Sequence, residues 1–229
     1  MTASFYQRVA SGYAASGTPT GLTLDVAAAT GSGYDLLVGI FVPGAGTVTS
    51  VGPDSEGNAY APEKTGASGL YVYRSNNITA LTTSDTIPMV CTVNATDKAV
   101  FAVADAFSGL GTYNDSAAST ETGATQSLAV TAVSSDQVLY GLYAIDETGT
   151  GSYSVASPFT QCAAPLSTYS AGVNYNACVL SAYDPSPSAG SITMSVSNPG
   201  SHTGTMLVLA YPAPAAAAGA TAITGSSFP

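Results

Sequence analysis

The chemistry available to this chain rests on few side chains: one histidine, three cysteines and 14 acidic residues. His202 stands in Gly200-Ser201-His202-Thr203-Gly204. The peptide looks like a hydrolase elbow only on the surface, because the central position holds His and no nucleophile, and it reads as a turn between strands. A single histidine cannot build a His metal cluster, and a Ser-His-Asp site would rest on this residue alone. Asp105 is more suggestive. It is the one carboxylate on the strand face Phe101, Val103, Asp105, Phe107. Apolar surroundings could make it an acid of raised pKa. The plainer expectation is a carboxylate at a sheet end, or one hydrogen-bonded to neighbouring backbone. No second acid is spaced to pair with it as a glycosidase dyad. Asp54-Ser55-Glu56-Gly57-Asn58 carries alternating oxygens like the front of a calcium loop but lacks the downstream bidentate Glu, so a turn explains it. Cys91, Cys162 and Cys178 have no metal-ligand spacing and read as small buried hydrophobes, with a Cys162–Cys178 bridge left open. No catalytic residue, metal or cofactor is expected, and the chain reads as a non-enzyme.

Composition narrows the partners. The net charge is −10, and the four basic residues, Arg8, Lys64, Arg74 and Lys98, do not cluster. Displacing phosphate counterions takes Lys and Arg, so nucleic acid is excluded as a partner, and anionic membrane with it. Charged residues make up 8% of the chain against about 25% in a typical domain, so the surface is neutral and rich in hydroxyls. The polar start Met1–Arg8, with no apolar run after it, leads to the expectation of no export signal. Tyrosines in or near expected loops, Tyr113 and Tyr153 among them, could stack on sugars, line an assembly contact or cap the core.

The elements that would position these residues are strands. Leu36–Val42 is an unbroken apolar run of strand length, which implies cover on both faces. Pro43-Gly44-Ala45-Gly46 reverses it, Thr47–Val51 returns, and Asp54–Asn58 turns into a third strand, forming a meander. Ser4–Ala10 reads as a strand with Phe5, Gln7 and Val9 on one face and Tyr6 and Arg8 on the other. Pro88, lacking a ladder donor, implies that Thr86–Val93 lies at an edge or carries a bulge. Tyr113–Ala124 reads as a polar loop joining two halves. Four strands recur at offsets of 102 to 105: Leu24 with Leu128, Leu36 with Val138, Ile87 with Ile192, and Ala102 with Met206. No segment has helical period and caps. The expected fold is all-β: a jelly-roll-like β-sandwich over residues 1–211, built of related halves at about 1–112 and 124–211. Those halves could form one fused sandwich or two in tandem. An extended tail over 212–229 completes the chain.

Asp35-Leu36-Leu37-Val38, Val48-Thr49-Ser50-Val51 and Asp54-Ser55-Glu56-Gly57-Asn58-Ala59-Tyr60 together resemble a recurring phrase of bacteriophage virion β-sandwich proteins. Leu70-Tyr71-Val72-Tyr73 and Ala106-Phe107-Ser108-Gly109-Leu110 extend the resemblance, which spans about residues 22–145. It implies a tail or head-decoration protein in the virion, bound to other virion proteins and to copies of itself. It supplies no catalytic residues. An alternative is a module recognising host surface glycans. In the tail, Ile223 and Phe228 are the expected apolar anchors of an arm ordered by a neighbouring subunit.

Overall fold

The structure, a computed structural model, describes residues 3–14, 19–44, 46–65, 69–93, 99–135, 137–146, 153–168, 177–197 and 202–213. These contain seventeen strands and no α-helix. In chain order they are β1 (Ser4–Ala14), β2 (Gly21–Asp25), β3 (Asp35–Phe41), β4 (Thr47–Val51), β5 (Ala61–Thr65), β6 (Leu70–Ser75), β7 (Thr86–Thr92) and β8 (Val100–Ser108). Then follow β9 (Asp115–Thr122), β10 (Thr125–Ala132), β11 (Gln137–Asp146), β12 (Ser154–Val155), β13 (Thr160–Gln161), β14 (Leu166–Thr168), β15 (Ala177–Asp184), β16 (Gly190–Ser197) and β17 (Thr203–Pro212).

All pairing is antiparallel, in four sheets. A five-stranded sheet runs β1-β8-β3-β6-β5 and faces a three-stranded sheet β2-β7-β4. A six-stranded sheet runs β13-β15-β11-β17-β9, with β14 also on β15, and faces a three-stranded sheet β10-β16-β12. The second pair of sheets thus repeats the strand order of the first.

Three apolar layers separate the four sheets. Leu36, Val38 and Ile40 meet Leu24, Ile87 and Met89 inside the first pair. Leu139, Tyr143, Leu180 and Val208 meet Val130, Met194 and Val196 inside the second. Between the two large sheets lies a third layer, with Leu37, Val72, Phe101 and Phe107 on one side and Tyr140, Leu142, Val179, Leu209 and Tyr211 on the other. The order across the molecule is small, large, large, small. This explains why β3 is buried at every position: one face serves the first core and the other serves the central seam.

Several sequence expectations change. Residues 115–122 form strand β9 at the edge of the large sheet, where its side chains are mostly exposed or half-buried. Its polar composition is that of an edge strand, and the joint is the shorter stretch Gly109–Asn114. Strand β7, which carries Pro88, is central in its sheet. The bulge lies in the partner β4, between Val48 and Ser50. Pro212 closes β17 opposite Gln137, so the tail starts beyond it. Ile223 and Phe228 lie outside the described residues.

Pairing also resets the recurrence. Leu37 pairs with Asp105 and Tyr140 with Leu209. With β8 and β17 at an offset of 104, β3 therefore matches β11 at 103, and Gly39 corresponds to Leu142 rather than to Gly141. Gly39 faces the seam, whereas a Cβ on Gly141 would meet Met194 in the second core. By the same ladders Leu24 corresponds to Val130, since their partners are Ile87 and Ile192.

Candidate functional site

The densest polar chemistry lies in the seam. Strand β8 turns Asp105 into it, with no exposure of the side chain. Ladder bonds use the N–H groups of a central strand, so donors for this carboxylate must come from side chains. Arg8 Nε lies 2.5 Å from Asp105 Oδ1. Tyr140 donates its hydroxyl to Oδ2 at 3.0 Å, and Ser181 donates to the same oxygen at 2.6 Å. Arg8 Nη2 in turn donates to Ser181 Oγ at 2.6 Å. Asp105 and Arg8 belong to the first sheet pair, Tyr140 and Ser181 to the second. The network therefore ties the two together across an otherwise apolar layer. Burial, and then the charge of Asp105, push the Tyr140 hydroxyl pKa well up.

Asp105 is thus held by an ion pair and two hydroxyls, not by backbone at a sheet end. Arg8 escaped the sequence reading because β1 carries two bulges, between Phe5 and Gln7 and between Arg8 and Ala10. A bulge inserts one residue and inverts the alternation beyond it. Arg8 consequently shares the seam side with Phe5, while Val9 and Ala10 both enter the first core. The signal that could have found it is arithmetic: a buried carboxylate needs a cation, and only Arg8, Lys64, Arg74 and Lys98 exist.

A second cluster secures the joint. Arg74 donates from Nη1 to Gly111 O at 2.6 Å and from Nη2 to Leu110 O at 2.7 Å. Its guanidinium lies over the Tyr211 ring, 5.4 Å from the centroid. Asp35, 3.4 Å from Arg74 Nη2, accepts the Leu110 N–H at 3.0 Å. Glu63 lies 3.7 Å from Nη1, and its carboxyl pKa is raised by burial against the opposing pull of Arg74.

The remaining sequence candidates resolve into structure. Asp54 Oδ1 accepts the N–H groups of Glu56 at 3.1 Å and Asn58 at 2.9 Å. Its Oδ2 accepts the Asn58 side-chain amide at 3.0 Å and the Tyr60 hydroxyl at 2.8 Å. Both oxygens serve protein donors, and Gly57 takes the left-handed φ of 80° that closes the turn. His202 stands just before β17, and its carbonyl accepts the Gln126 amide at 2.7 Å. Cys162 packs on the seam face of the second large sheet and Cys178 on its core face. A sheet lies between them, so they do not pair. Burial pushes the Cys91 thiol up to about 11 and that of Cys178 up to about 12.

The two tyrosines expected to meet sugars or neighbours turn inward. Tyr153 is 6% exposed and packs with Tyr143 in the second core. Tyr113 is half-buried and edge-on to Tyr211, 6.3 Å between centroids. Among the described residues, rings that face outward are Tyr6, 48% exposed and stacked on Tyr34 at 4.4 Å, and Tyr13, 50% exposed and stacked on Phe101 at 5.8 Å. Comparison of the chain with protein-family models, curated proteins and solved structures finds no match.

Proposed function

We propose that the chain is a non-enzymatic structural protein of a bacteriophage virion, a minor tail or capsid-decoration component acting through protein–protein contacts with virion proteins and copies of itself. The observation that carries this reading is the use made of Asp105. This fully buried mid-strand carboxylate is consumed by Arg8, Tyr140 and Ser181 in joining two sheet pairs. The polar groups richest in partners, Asp54 and Arg74, likewise secure a turn and a joint. The strand order 1-8-3-6 beside 2-7-4, occurring twice, supports a finer reading as two related jelly-roll-like units. The test is mass spectrometry of particles banded by density from cells that produce the chain. The chain should co-band at a fixed ratio to the major shell or tube protein. Recovery only in the unbanded fraction overturns the reading.

Glycan recognition keeps a foothold in the outward ring of Tyr6 on Tyr34. A glycan array on the purified chain, repeated with Tyr6→Ala, tests it. A saccharide signal lost in the variant would favour binding over assembly.

A further inference from the structure

We propose that the buried network and a glycine notch in the seam act as a matching code. It makes each sheet pair recognise the other half and reject a second copy of itself. The argument starts from reciprocity. Strand β8 touches β15 across the seam, and β17 touches β6. In the repeated strand order β17 stands where β8 does, and β15 where β6 does. The ladder registers carry this to residues: Asp105 corresponds to Leu209, Leu37 to Tyr140, Val72 to Ser181, and Arg74 to Tyr183. Observed contacts obey the exchange. Phe107 meets Tyr183 edge-on at 6.3 Å, and its counterpart Tyr211 lies under Arg74. The seam is therefore laid out like a two-fold interface between like subunits, in which residue i meets j and j meets i.

Its two flanks differ in chemistry. On one, Asp105 receives the hydroxyls of Tyr140 and Ser181. On the other, the corresponding residues are Leu209, Leu37 and Val72, all in the apolar layer. Arg8 pairs with Asp105 in its ladder and Ser116 with Leu209. If two first halves packed together, each Asp105 would face Leu37 and Val72, losing both hydroxyls while Arg8 lost its bond to Ser181. If two second halves packed together, each Tyr140 and Ser181 hydroxyl would face Leu209. Only the unlike pair satisfies Arg8, Asp105, Tyr140 and Ser181 together, and unsatisfied buried partners are the stronger discriminator.

Shape gives an independent second criterion. Gly39 and Leu142 occupy corresponding positions and touch each other, as residues on a two-fold axis must. A Cβ on Gly39 would lie 2.5 Å from Leu142 Cδ2. Two first halves would leave a void there, and two second halves would bring leucine against leucine.

The experiment inserts a protease site after Thr112, which is exposed in the joint. The folded chain is cut, unfolded in urea, refolded, and its pairs are weighed by native mass spectrometry. We expect unlike pairs, with self-pairs on the order of one in a hundred or fewer. The variant Arg8→Ser, Asp105→Leu, Tyr140→Leu, Ser181→Val copies the apolar flank onto the polar one and should raise self-pairs at least tenfold. A milder variant, Tyr140→Phe with Ser181→Ala, removes the hydroxyls alone and should raise self-pairs of second halves specifically. Near-statistical pairing in the parent, or no rise in either variant, overturns the proposal. If the cut halves do not refold, the uncut chains decide. On refolding at high concentration the parent should return as monomer and the four-fold variant as dimers and longer forms. Equal oligomer fractions by light scattering overturn it.

Discussion

Asp105 and Asp54 are both withdrawn from water, and the chain satisfies them by opposite means. Asp54 lies in a turn, where N–H groups are free of any ladder, and it draws on residues two to six positions away. Neutral donors suffice. Asp105 lies in mid-strand, where the backbone has no donor left, and it draws on residues 97, 35 and 76 positions away, one of them a cation. A carboxylate in a turn fixes local geometry, whereas one inside a sheet couples distant parts of the chain. Removing the first should cost locally and removing the second globally.

The largest effect is expected for Arg8→Ala, which leaves the buried Asp105 carboxyl without its cation. Stability by urea unfolding should fall by about 3–5 kcal/mol, with both sheet pairs losing protection from hydrogen exchange. A loss below about 1 kcal/mol, the range of exposed ion pairs, breaks the comparison. Asp54→Ala should cost about 2–3 kcal/mol, with faster exchange confined to residues 54–60 and Thr79, whose N–H bonds to Asn58. Exchange rising in β11 or β15 would show that the turn is not local. Gly39→Ala probes the seam without touching a charge. It should cost about 1–2 kcal/mol by overpacking, and Leu142→Ala in the same chain should relieve part of that cost. Simple additivity of the two would place Leu142 elsewhere.

The smallest effect concerns pH. Asp85 is a turn carboxylate of the Asp54 kind, and the backbone N–H of Thr82, then its hydroxyl, lower the Asp85 pKa. The unfolded chain, with the ordinary higher pKa, takes up its proton first as pH falls. The stabilisation is therefore complete above the ordinary carboxylate range and is lost as pH drops through the lowered folded value. Asp85→Asn should flatten the acid side of the stability profile slightly and leave neutral-pH unfolding of the seam unchanged. A shift at neutral pH instead would tie this turn to the seam.

The sequence exposed the period-2 pattern well, so the all-β class and the double cover of β3 were legible, as was the apolar company of Asp105. What defeated the reading was everything that alternation does not encode. Two bulges in β1 moved Arg8 to the seam. Edge strand β9, with few apolar side chains to bury, read as a loop and displaced the joint. Tyr140 and Ser181 look like any tyrosine and serine on a strand, because their importance comes from register against a strand of the other half. Tyr153 sits beside short strand β12, and its burial follows from packing on Tyr143, which no local pattern announces.

One feature of the joint has a mechanical side. Ser4 pairs with Ser108, three residues before Gly111, and the Gly111 N–H bonds to Pro212 O at 2.7 Å. The start of β1, the crossing between the sheet pairs and the end of β17 therefore meet at one rim of the seam. Tension applied between Ala3 and Ala213 would be borne across that rim, peeling edge contacts in sequence instead of shearing the full length of the central layer.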